Sequence, residues 1–131
     1  MASVAIVGGS EETRLLLRGL LRLYRHRIVG EAASFENFRP PTTPAERAAV
    51  VVFDLDLDDP ATSGGIARLK GEDPRLRFVF LAAEKTPELQ ELAGSLGVHI
   101  VLHRPFAVHE LIDAVEHASD GAGPPPPPPA T

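Results

Sequence analysis

The stretch that most constrains this chain is Ala48-Ala49-Val50-Val51-Val52-Phe53-Asp54-Leu55-Asp56. A run of small and β-branched apolar residues this short does not make a core helix. It fits a strand buried on both faces, the signature of a parallel sheet covered by helices. The run ends abruptly in a carboxylate. In open α/β sheets the ligand crevice lies at the carboxyl ends of the strands, so Asp54 stands where chemistry would be done.

The rest of the chain repeats that grammar. Val4-Ala5-Ile6-Val7 is a buried strand stopped by Gly8-Gly9, and Ser10 followed by Glu11 and Glu12 suits a helix start. That helix runs to about Tyr24, its apolar face built from Leu16, Leu20 and Leu23 with Leu17, Leu21 and Tyr24 beside them. Arg14, Arg18, Arg22 and Arg25 recur every three or four residues and read as a solvated face. A strand follows at Arg27-Ile28-Val29-Gly30-Glu31-Ala32. Ser34 to Phe38 could begin a second helix, but Pro40, Pro41 and Pro44 stop it, so that helix is expected to be short or irregular.

After the central strand the residues from Leu57 to Gly65 read as a polar loop, leading to a short helix around Ile66 to Lys70. Leu76 to Ala82 is the fourth strand. Thr86-Pro87-Glu88 opens a helix with cap and proline in their preferred places; Leu89, Leu92, Ala93 and Leu96 are its buried stripe, and Gly97 ends it. Ile100-Val101-Leu102 is the fifth strand, and a last amphipathic helix, about Val108 to Ala118, buries Leu111, Ile112 and Val115. Five strands alternating with helices imply one parallel, doubly wound domain over 1–119. The segment 120–131, with six consecutive prolines at 124–129, is expected to be an extended linker or disordered tail.

Composition narrows the function classes. A net charge of −5 over 131 residues argues against a nucleic-acid surface on this domain. The absence of cysteine excludes disulfides, thiolate zinc sites and a thiol nucleophile. No apolar run approaches the ~18 residues a membrane span needs, and Met1-Ala2-Ser3 lacks a basic signal-peptide region, so a cytoplasmic protein is expected.

Other motifs fall away on spacing. Asp54-x-Asp56-x-Asp58 lacks the glycine and glutamate of an EF-hand loop, since Asp59 and Gly65 occupy those places. It also lacks the threonine or valine, and the later serine or threonine and lysine, of haloacid-dehalogenase-type phosphatases. Asp56, Asp58 and Asp59 read as a solvated acidic loop. Gly8-Gly9-Ser10 before a helix could hold an anionic small ligand, but no dinucleotide pattern follows. His99, His103, His109 and His117 lack metal-ligand spacing.

The alternation, the length and the landmarks over about residues 3–118 resemble the receiver domain of two-component response regulators. The best segments are Val4 to Val7 with Arg14 to Leu23, Ile28 to Ala32, the strand ending in Asp54, and Leu102-His103-Arg104-Pro105-Phe106. Arg18-Gly19-Leu20-Leu21 and Val29-Gly30-Glu31-Ala32 most resemble receivers with LuxR-type helix-turn-helix outputs. The resemblance implies a flavodoxin-like sheet in the order 2-1-3-4-5 and a signalling module rather than an enzyme. It makes Asp54 the phosphoacceptor and Asp56 the residue that gives a carbonyl to the metal. The family's acidic pair falls on Gly8 and Gly9, its hydroxyl on Ala82, its lysine on Arg104 and its aromatic switch residue on Val101, with Pro105 in a cis bond. The loop from Asp56 to Gly64 is about two residues longer than the family's usual one.

Against that pattern the site is expected to be vestigial. Phosphoryl transfer is mostly positioning and charge neutralisation, and one carboxylate holds magnesium poorly, so no cofactor is expected. Glu11 or Glu12 would restore the metal only if their turn faced the site. Arg104 leaves two readings: a fork gripping the Asp54 carboxylate in place of the metal, or an exposed side chain beside a solvated aspartate. The functional expectation is a phosphorylation-independent interaction module that controls an output domain, transcriptional in kind; the alternative is a conventional phosphoacceptor served by a histidine kinase. Lys85, Glu88, Glu91, Asp113 and Glu116 mark the expected contact face, formed by the fourth helix, fifth strand and fifth helix, through which a homodimer is also possible.

Overall fold

The computed structural model describes residues 2–39, 47–84, 86–98 and 100–119. Its elements run β1 (Ser3–Gly8), α1 (Glu11–Leu23), β2 (Arg27–Ala32), β3 (Val50–Asp54), α2 (Pro60–Glu72), β4 (Arg77–Ala82), α3 (Pro87–Ser95), β5 (Ile100–His103) and α4 (Val108–Ser119). All strand pairs are parallel, in the order β2-β1-β3-β4-β5. This is the expected doubly wound, flavodoxin-like sheet.

The period of two along each strand divides the core. Val50 and Val52, with Val4, Ile6, Val79 and Leu81, meet Leu17 and Leu21 of α1 and Leu111, Ile112 and Val115 of α4. Val51 and Phe53, with Val7, Phe78 and Phe80, meet Ile66 and Leu69 of α2 and Ala93 of α3. The central run is therefore buried on both faces, as its composition demands.

Two expectations need correction, those for the loop after β3 and for the buried face of α1. The stretch read as a polar loop is mostly helix: Asp59 Oδ1 accepts from the Ala61 N–H and Pro60 occupies the first turn, so α2 begins six residues before Ile66. Gly65 lies within that helix, and its place takes no side chain because a Cβ there would come within 2.4 Å of the Phe35 Cβ. The second helix reduces, among the described residues, to a turn in which Phe38 N–H donates to Phe35 O at 3.2 Å and both phenylalanines are buried. The prolines that were to break it lie outside the described residues. On α1 the core takes Leu17 and Leu21, with Leu20 partly covered, whereas Leu16, Leu23 and Tyr24 are exposed. The tail from 120 onward is also outside the described residues. Among those described, no helix is long and apolar enough to cross a membrane.

Candidate functional site

Asp54 is the last residue of β3, its side chain 26% exposed at the carboxyl edge of the sheet. Parallel register places Gly8, the last residue of β1, directly beside it. Gly8 and Gly9 both have left-handed backbone, with φ of +87° and +75°, a region that side-chain-bearing residues rarely enter. A Cβ on Gly8 would lie 2.5 Å from the Asp54 carbonyl oxygen and 2.6 Å from Leu55 Cγ; one on Gly9 would lie 3.2 Å from Asp54 Oδ2. An acidic pair at these two positions would need a different loop.

That loop is held by its own cation. Arg14 Nη1 donates to the Gly9 carbonyl at 2.6 Å and lies 3.4 Å from that of Gly8. Ser10 caps α1, its Oγ accepting from the Thr13 N–H at 3.0 Å. Arg14 was read as part of a solvated face, as was Arg18, which pairs with Glu31 at 2.9 Å. The signal for Arg14 was its place one turn inside a helix that follows two glycines, close enough to reach back over their carbonyls.

On the other side of Asp54, Arg104 follows β5. Its backbone N–H donates to Ala82 O at 3.0 Å, and its guanidinium Nη2 donates to Asp54 Oδ2. The Arg104–Pro105 bond is cis. Ala82 ends β4, is fully buried, and pairs in register with His103. Val101 is half-buried, opposite Phe80, against the aromatic side of the core. The structure thus gathers Gly8, Gly9, Asp54, Ala82 and Arg104 at one edge.

It does not gather the remaining acids. Glu11 is exposed along a groove with Arg14, Arg18 and Glu31, and Glu12 is exposed beside the leucines of α1. Asp56 is exposed, and its Oδ1 accepts from the Asp58 N–H at 2.9 Å. Asp56 and Asp59 therefore serve as local backbone caps rather than as plain solvated charges. Among the described residues, no group of three or more His, Asp or Glu side chains is placed to hold a metal ion. Of the expected contact face, Glu88 and Glu91 are exposed on α3, Asp113 and Glu116 on α4, and Lys85 lies outside the described residues. Glu116 Oε2 also approaches the buried His26 Nε2 at 3.5 Å.

No protein-family model matches the sequence, and no curated protein matches it. Solved structures do. A response regulator receiver domain protein from Clostridium thermocellum superposes with a TM-score of 0.72 at 16% identity, over 92% of this chain and 95% of that one. A DNA-binding response regulator of the LuxR family from Staphylococcus aureus gives 0.71 at 15%, over 91% and 99%. A putative pilus assembly protein from Burkholderia thailandensis gives 0.74 at 19%, over 92% and 99%. The chain has the receiver fold.

Whether this edge suits a hard cation such as magnesium turns on the oxygen ligands it offers. Magnesium demands near-octahedral oxygen ligands and is usually held by one or two carboxylates. Here an arginine donates to the one carboxylate at the edge, and two left-handed glycines stand where further acids would be. On this receiver fold the guanidinium of Arg104 stands beside Asp54.

Proposed function

We propose that this chain is an atypical receiver module that works through protein contacts without phosphorylation of Asp54. The observation that carries the reading is the Arg104 guanidinium bonded to the Asp54 carboxylate, beside a glycine pair that cannot accept side chains on its present backbone. A carboxylate attacking a phosphoryl group needs its lone pairs free and the incoming negative charge neutralised. Arg104 occupies one of its oxygens, no acidic pair recruits a metal, and Ala82 offers no hydroxyl to the transferred group.

In this reading Arg104 holds the β5–α4 connection against β3 in one arrangement, so the face of α3, β5 and α4 is presented constitutively. The pair is partly exposed, 40% at Arg104 and 26% at Asp54, so its contribution is positional more than energetic. The partner in this reading is an output domain, transcriptional in kind, and the LuxR-family neighbour is a DNA-binding response regulator. The competing reading, a conventional phosphoacceptor, draws on the partial exposure of Asp54 at the carboxyl edge.

An NMR titration separates the two. The full chain is titrated with magnesium into the millimolar range, then with magnesium plus beryllofluoride, a phosphoryl mimic. The expected result is no saturable shift at Asp54, Ala82 or β5. Saturable shifts starting at Asp54 and spreading to Val101 would restore the phosphoacceptor reading.

A further inference from the structure

Among the described residues five large apolar side chains are exposed, and four of them, Leu15, Leu16, Leu23 and Tyr24, belong to α1 or its cap. They fall in two adjacent rows at helical spacing: Glu12, Leu16, Leu20 and Tyr24 in one, Leu15, Gly19 and Leu23 in the other. Gly19 is the notch between them. A Cβ there would meet nothing within 4 Å, so the chain's own packing does not require the glycine, although glycine weakens a helix interior relative to alanine. A notch unused within the chain fits the close approach of a second helix.

The charges say which helix. Glu11 and Glu12 open α1, and Arg22 and Arg25 stand exposed at its end. Arg14 and Arg18, which share a groove with Leu15, are engaged with the Gly9 carbonyl and with Glu31. An antiparallel copy of α1 crossing at Gly19 would set its basic end over Glu12 and its acidic end over Arg22 and Arg25. Such a contact is self-complementary in both shape and charge, as a two-fold interface must be. We infer that the Leu15, Leu16, Gly19 and Leu23 face of α1 docks against the same face of a second copy of this chain. This dimer differs from one formed through α3, β5 and α4, and it does not depend on the state of Asp54.

Sedimentation velocity of the full chain over a concentration series tests it. Leu16→Glu and Leu23→Glu alter exposed positions, so far-UV circular dichroism should stay at the wild-type value, and so should the melting temperature at concentrations where both chains are monomeric. Each should weaken dimerisation about 100-fold or more, as expected for a central apolar anchor. Glu12→Arg and Arg22→Glu should each weaken it, and the double reversal should recover most of the loss. A wild-type chain that is monomeric throughout overturns the inference. So does a dimer indifferent to Leu16→Glu, or a double reversal no better than the single changes. A monomer in which Leu16→Glu shifts the NMR signals of residues 120–131 assigns the patch to the chain's own tail, and also overturns it.

Discussion

The two faces of the sheet are filled by different chemistry, although the same strands supply both. On the side of α2 and α3, Phe35, Phe53, Phe78 and Phe80 form a connected aromatic group. The Phe53 and Phe80 rings stack at 5.1 Å, and Phe53 and Phe78 meet edge to face at 6.1 Å. On the side of α1 and α4 the core is aliphatic, leucine and isoleucine against valine. Rings have one good arrangement, and the backbone must make room for them: Gly65 is fixed by Phe35, and Gly30 has Phe38 3.0 Å from where a Cβ would stand. Aliphatic packing is more forgiving, and α1 carries more leucines than the sheet can cover. The difference teaches that the aromatic face fixes the fold of this domain, whereas the aliphatic face leaves surface over for contacts.

Truncation should break the comparison first on the aromatic side. Phe53 is fully buried at the centre of the ring group and one residue from Asp54. Phe53→Ala should cost about 3–5 kcal/mol, the range for deleting a core ring that rigid neighbours cannot collapse around. Leu16→Ala on the opposite helix face should stay within about 0.5 kcal/mol, because that side chain is 63% exposed. Urea unfolding of the two variants at one temperature, at concentrations where the chain is monomeric, checks both figures. Equal losses would mean that the aromatic group has no special place in the core.

The same substitution at two glycines sharpens the contrast. Gly65→Ala in α2 puts a methyl group 2.4 Å from Phe35 Cβ and 2.7 Å from Cγ, so the ring or the helix must shift. A loss of about 1–3 kcal/mol is expected, typical of overpacking. Gly19→Ala in α1 meets nothing within 4 Å and removes a flexible residue from a helix interior, so the isolated chain should gain about 0.5–1 kcal/mol. Thermal melts at concentrations where the chain is monomeric give both signs directly.

How far these features were legible follows from the same physics. The strands, among them the one ending in Asp54, and the capped starts of α1 and α3 were readable, because period-two burial and cap chemistry are local; the strand order came only with the resemblance to receivers. The long α2 was missed because two glycines and a serine look like a loop until Phe35, from thirty positions earlier, supplies the reason for Gly65. The buried row of α1 was blurred because six leucines and a tyrosine surround much of the helix, and only the sheet selects Leu17 and Leu21. At the candidate site the residue types at Gly8, Gly9, Ala82 and Arg104 were visible as departures from a pattern. The left-handed backbone at the glycines and the reach of Arg14 to their carbonyls were not, since both depend on how β1 turns into α1. Charges assigned to solvent by periodicity alone can still bond to a loop within one turn of them.

The smallest expected effect concerns a charged side chain laid against the aromatic face. Lys70 Nζ donates to the Gly97 carbonyl at 2.7 Å and lies 5.7 Å from the centre of the Phe78 ring. Burial first, and then the positive charge of Arg77, hold its pKa below the ordinary lysine value of 10.5. The folded chain therefore releases this proton at a lower pH than the unfolded chain does. Between the lowered value and 10.5 the unfolded state binds more protons, so stability contributed by Lys70 rises with pH across that window. Below the window both states are protonated and the cost of burying the charge is fully present; above it that cost is gone. Lys70→Met removes the group and should flatten this part of the profile, leaving only the slopes of other basic groups. The measurement is the difference in unfolding free energy between wild type and Lys70→Met from neutral pH to just above 10.5. A difference that moves in favour of wild type as pH rises supports a lysine kept charged at some cost by its carbonyl and ring. A difference that moves the other way would mean that those two contacts outweigh burial, and that the aromatic face accommodates a cation as readily as the open aliphatic one.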